Sequence, residues 1–398
     1  MNKKLKINTG LAILINDKSD AFNGYTSISI NTGKAIVSRI LHEKLMQAGV
    51  SINCGNMDII DVSGEIVELS DRTVITEKTS YKDCYLFCDG KLIIESTEGI
   101  SSVTGIYATA VYHPQSVDLN VIKNISTSKR INYPDDAILC LDSMILNDES
   151  AMTLNTGLYW VDAKITALEN DALEKLHLKG TTFNCNKLII KTGLYEKYNN
   201  MFKVDKLILI PDDHAFVGDT ELDSATSVLN GDKLFILGDL TIAYNQTQHL
   251  PDFTSIIVKG TVTMPISAVK DFKERGKADD YDLHEGTLMT INGTGTITHE
   301  QLQKALETGT VYTLNVNGIV VFTEDVTAED IEAIAAINCN GILYASGNAR
   351  SAIDTKVRSM NGQILDISDY YIKNEKKAEN ISNNNETTTK INTGKYKM

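Results

Sequence analysis

The dipeptide Asn-Gly recurs at Asn292, Asn317, Asn340 and Asn361, each time directly after an apolar residue: Ile291, Val316, Cys339 and Met360. Helix-like stretches fill the gaps, so the period is about 20–25 residues. One such segment cannot bury its apolar face alone and must stack on its neighbours. The pattern predicts an α/β solenoid of strand–turn–helix repeats, with a parallel sheet on one face and short helices on the other. A helical crossover is the natural link between parallel neighbours.

The repeat has a core signature of two apolar residues separated by one spacer. Side chains two apart on a strand point the same way, so each pair should enter one core. Candidate pairs are Ile52/Cys54, Leu86/Cys88, Leu139/Leu141, Leu176/Leu178, Leu207/Leu209, Leu234/Ile236, Ile256/Val258, Met289/Ile291, Leu314/Val316 and Ile337/Cys339. Glycine or asparagine then allows the positive φ that a corner needs. Helix signals separate the later pairs. Thr298 and Gln301 make a capping box closed by Gly309, Thr327 and Asp330 open the segment DIEAIAA, and Gly276 ends a helix that starts near Pro265. Asp279–Glu285 is expected as a solvated acidic insertion.

The run Leu173-x-x-Leu176-x-Leu178-x-x-Thr181-x-Phe183 resembles the leucine-rich repeat pattern, with threonine at the usual asparagine or cysteine position. Val311-x-x-Leu314-x-Val316 and Ile334-x-x-Ile337-x-Cys339 match its first half. The resemblance spans roughly residues 165–365 and implies a protein-interaction surface.

Three regions are expected. Residues 1–50 form a cap region with an amphipathic helix over 34–48. Residues 51–370 form the solenoid. Residues 371–398, rich in asparagine and threonine, form a disordered polar tail. The tetrapeptide Ile-Asn-Thr-Gly occurs at Ile7, at Ile30 and again in the tail at Ile391. Either the copies coincide by chance, or the tail is a tethered strand that pairs with an open solenoid end, in its own chain or another.

A net charge of -14 leaves no basic stripe for duplex nucleic acid. No apolar run approaches the ~18–20 residues that span a bilayer, and a cytoplasmic protein is expected. Six cysteines sit mostly in apolar runs and read as buried reduced thiols. The sequence holds no phosphate-loop, dinucleotide, nucleophile-elbow, zinc or calcium motif, so neither catalysis, cofactor nor metal is expected.

The spacer residue of each pair should face outward. Ile208, Phe235 and Ile257 are apolar on three successive repeats, and strands ~4.8 Å apart would join them into one patch. His177, between Leu176 and Leu178, should share that face. These four residues are the expected binding surface. The alternative is a sheet covered on both faces. The leading functional expectation is a non-catalytic scaffold or protein-interaction module. A self-assembling structural protein comes second and a carbohydrate-active solenoid third. The last would need paired outward carboxylates, which the row lacks.

Overall fold

Glycine corners set the shape of the long strands. In the fifth sheet Gly293, Gly318, Gly341 and Gly362 all have positive φ and pair in register, one beside the next. An apolar arm lies on each side of the corner, as in Leu314/Val316 and Val320/Phe322, and both arms feed one core. The structure, a computed structural model, describes residues 3–16, 22–371 and 387–397.

The chain is α/β, with parallel strands in five sheets among the described residues. The first sheet holds β1 (Lys3–Leu14) and β2 (Ser27–Ser38), then α1 (Arg39–Gln47) and β3 (Ser51–Ile60). The second holds β4 (Glu65–Leu69), β5 (Thr73–Ile75), β6 (Cys84–Ile94), β7 (Gly105–Pro114) and β8 (Ile125–Tyr133). The third runs through β9 (Ile138–Cys140), β10 (Met144–Leu146), α2 (Asp148–Thr153), β11 (Gly157–Ala167), α3 (Asn170–Leu178), β12 (Thr181–Lys191), α4 (Thr192–Tyr198) and β13 (Phe202–Ile210). The fourth contains β14 (Ala215–Val217), β15 (Thr220–Glu221), α5 (Thr226–Asn230), β16 (Lys233–Ile236), β17 (Leu240–Thr241), β18 (Ser255–Pro265), α6 (Val269–Arg275) and β19 (Gly276–His284). The fifth comprises β20 (Thr287–Ile297), α7 (His299–Thr308), β21 (Tyr312–Phe322), β22 (Ile334–Ala345), α8 (Gly347–Lys356) and β23 (Val357–Asp366). The last strand, β24 (Thr387–Lys397), returns to the first sheet and pairs with β1.

A rung is one long strand, or two short ones in line. Thus β4 and β5 pair with the two arms of β6, and β9 and β10 with those of β11. Counted this way, each sheet is four rungs wide. The second to fifth sheets begin at residues 65, 138, 215 and 287, spacings of 73, 77 and 72 residues. A larger repeat of about this length therefore overlies the short one.

Each sheet has its own apolar core, and apolar seams join the first four sheets in succession. Ile13, Ile36 and Ile60 of the first meet Tyr85, Phe87 and Tyr107 of the second. Ile93, Tyr112 and Tyr133 of the second meet Leu139 and Trp160 of the third. In both seams the C-terminal arms of one sheet's strands pack with the N-terminal arms of the next sheet's strands.

Several expectations need correction. Leu173–Leu178 is the helix α3, because Ala172, Leu173 and Leu176 fit a helical stripe as well as a strand; Leu178 is exposed. Lys34–Ser38 belong to β2, so the helix starts at Arg39, capped by the Ser38 hydroxyl. The boundary at residue 50 falls inside a sheet, since β2 pairs with β3 across it. Residues 279–284 are the last rung of the fourth sheet, a strand that stays polar because most of its side chains face solvent. In DIEAIAA only Asp330–Ala333 is helical, and Ile334 begins β22. The core residue near 140 is Cys140, whereas Leu139 and Leu141 lie in a seam. The expected tail is a strand over 387–397; residues 372–386 lie outside the described residues. The capping box of Thr298 and Gln301 is present, and Gly309 closes the helix in a left-handed conformation. No helix among the described residues is long and apolar enough to cross a membrane.

Candidate functional site

Ile208, Phe235 and Ile257 do come together, but as a seam. They pack with Leu168, Ile189, Ile210, Phe216 and Leu237 where the third sheet meets the fourth. Phe235 is only 2% exposed, and Ile208 and Ile257 are half-buried. The alignment of Phe235 beside Ile257 is real. Ile208 of the third sheet and Phe235 and Ile257 of the fourth cover one another across that junction, so they hold the fold together and are not an open contact surface. His177 does not join them. It lies exposed at the end of α3, its ring 5.8 Å from that of Tyr198.

The outward asparagines of the fifth sheet form hydrogen-bonded ladders. Asn338 donates to Asn315 at 3.0 Å, Asn317 to Asn292 at 3.1 Å and Asn361 to Asn340 at 2.9 Å. Asn315, Asn317, Asn338, Asn340 and Asn361, with Ser359, line a shallow groove of about 560 Å³. The first sheet carries a matching ladder. Asn53 donates to Asn31 at 2.9 Å, Asn31 to Asn8 at 2.8 Å and Asn8 to Asn392 at 2.7 Å. In both sheets each amide donates toward the preceding rung. β24 pairs with the side of β1 opposite β2, which makes it the opening rung of the first sheet.

One register row of the fourth sheet assembles titratable groups. His214, Lys233 and Ser255 each stand just before an aligned rung at Ala215, Leu234 and Ile256. His214 Nε2 lies 2.8 Å from Ser255 Oγ, and its Nδ1 lies 2.8 Å from Asp213 Oδ1. An Nδ1 proton donated to the carboxylate leaves Nε2 to accept from the serine hydroxyl. The order Asp–His–Ser matches that of an acyl-transfer triad. The environment differs. The Asp213 side chain is 58% exposed and receives a 2.5 Å hydrogen bond from Lys233. That ammonium, with His214 second, brings the carboxyl down to about 2. Charge already compensated by lysine and water has little left to stabilise a nascent imidazolium. The sequence held a signal for this row: a polar residue stands at the same offset before three apolar pairs.

A second histidine clasps the fifth sheet. The buried Asp330 carboxylate accepts from Thr327 N–H at 2.7 Å, Thr327 Oγ1 at 3.0 Å, His299 Nδ1 at 2.7 Å and Gln303 Nε2 at 2.6 Å. Burial opposes its charge, but these donors together hold the carboxyl below its ordinary range. The hydrogen bond to Asp330 raises His299 above 6.5. A raised histidine contributes stability fully present below its unfolded value, and lost as pH rises through its folded one. Thermal unfolding should therefore move to lower temperature as pH climbs above 6.5 through that raised value. Asp330→Asn should lower the midpoint and flatten this dependence. A wild-type midpoint unchanged across that interval would refute the clasp.

All six cysteines carry free thiols; Cys84, Cys88, Cys185 and Cys339 are buried. Burial pushes the Cys185 thiol up to about 11, which suits an inert core residue. Comparison with family models, with curated proteins and with solved structures finds no match for the chain.

Proposed function

We propose that this chain is a non-catalytic scaffold, a cytoplasmic solenoid whose four-rung units follow one another and present their outer faces and loops to protein partners. The observation that carries the reading is the recurrence of one four-rung parallel unit every 72–77 residues, with apolar seams between the first four. Repeated units of this kind extend a surface and do not enclose a reaction chamber. The free, buried thiols support a reducing compartment.

In this reading Asp213, His214 and Ser255 form a structural clasp across neighbouring rungs. A serine-directed fluorophosphonate probe tests it. The expected result is no labelling above that of a Ser255→Ala variant, and a loss of about 1 kcal/mol in that variant from one missing hydrogen bond. Labelling of Ser255 that disappears in His214→Ala would make the chain a hydrolase and end the scaffold reading. A second reading, self-association, is favoured by the pairing of β24 with β1.

A further inference from the structure

The first sheet gets three rungs from residues 3–60 and its fourth from β24, more than three hundred residues away. The pairing is residue for residue. Ile391, Asn392 and Thr393 lie against Ile7, Asn8 and Thr9, which lie against Ile30, Asn31 and Thr32. Ile391 and Tyr396 pack on the first core. Lys395 pairs with Asp89 and Lys397 with Glu68 of the second sheet, and the Lys397 ammonium lies 5.8 Å from the Phe87 ring centroid.

All of these partners belong to the first two units. The tie back to the fifth unit is the fifteen residues 372–386. The contact set is therefore complete whichever copy supplies the strand, which is the condition for strand exchange between identical chains. Charge points the same way. Thr387–Lys397 holds three lysines and no acid, whereas the whole chain carries -14, so the strand is attracted to the body of another copy.

We propose that β24 is an exchangeable strand which, as chain concentration rises, completes the first unit of a second copy and links copies head to tail. The proposal rests on the scaffold reading and names its partner as the chain itself. At low concentration the fifteen-residue tether favours closure within one chain, because its effective concentration exceeds that of free copies.

Two cysteine variants test this. Asn8 and Asn392 are register partners on adjacent strands, ~4.8 Å apart and within disulfide range. Full-length Asn8→Cys and Asn392→Cys chains, each also Cys54→Ser, are mixed at high concentration and oxidised mildly. The expected product on a non-reducing gel is a covalent dimer containing one of each, absent when either variant is oxidised alone. A single chain carrying both substitutions should close on itself when dilute and form a ladder of multimers when concentrated. Lys395→Glu with Lys397→Glu should weaken closure and exchange alike, lowering the total cross-linked yield a few-fold while leaving the concentration at which the ladder appears unchanged. If the double variant closes as monomer at every concentration and the mixture gives no mixed dimer, exchange is refuted and β24 serves only its own chain. If nothing cross-links in either experiment, β24 does not occupy the rung and the proposal also fails. Either result leaves the Ser255 labelling, and with it the scaffold reading, untouched.

Discussion

Gly341→Ala is expected to unfold the fifth sheet. Gly341 has φ +151°, which L-residues rarely adopt, and a Cβ built on it falls 1.8 Å from the carbonyl oxygen of Gly318. That oxygen is backbone, held in the parallel ladder between β21 and β22. No rotamer can relieve the overlap, so the strands must part. Backbone strain of about 1–3 kcal/mol combines with lost ladder bonds and an opened core. A total of roughly 4 kcal/mol or more puts the variant in the severe class. Gly362 meets the Gly341 oxygen in the same way at 1.7 Å. Gly293, on the opening rung, has φ +93° but nothing within 4 Å of its added Cβ. Gly293→Ala should therefore show only the backbone penalty, about 1–3 kcal/mol. Urea midpoints of the two variants separate the steric contribution from the conformational one. Equal losses would mean the stacked corner glycines are not in contact.

Phe235→Ala should be the next most damaging change. Its ring fills the seam between the third and fourth sheets, against Ile189, Ile210 and Phe216. Truncating a buried phenylalanine costs about 3–5 kcal/mol, through lost burial and the cavity left behind. Phe235→Asp should be worse, because the carboxylate would have no partner there. This reverses what the sequence suggests. An exposed Phe235 would tolerate aspartate and lose only association. Calorimetry with light scattering distinguishes the two. A folded Phe235→Asp chain with a wild-type midpoint would restore the open-surface assignment.

The legible parts of the fold are those where one rule acts alone. The Asn-Gly corners of the fifth sheet stand out because the same residue must recur wherever backbone approaches backbone. Pairs such as Leu314/Val316 and Leu234/Ile236 are core on both counts of pattern and position. Leu176/Leu178 misleads because a short apolar run fits both the two-residue and the helical period. Residues 276–284 mislead in the opposite sense, since a mostly exposed edge rung shows no apolar alternation. The larger repeat of 72–77 residues is hidden because what recurs is a rung count, not letters, and a rung can be one strand or two. The fate of Ile208, Phe235 and Ile257 depends on which sheet packs over them, and that contact has no local sequence signal. The alignment of His214 with Ser255 lies across forty-one residues and emerges only once the rungs are in register.

Peptide-resolved hydrogen exchange of Gly341→Ala against wild type separates a chain of modular units from a single continuous core. Units that interact only with their neighbours should open separately. The expected result is loss of protection across residues 287–366 with wild-type protection kept from residue 65 to 210. Uniform loss of protection from the first sheet to the fifth would show one indivisible core and refute modular units.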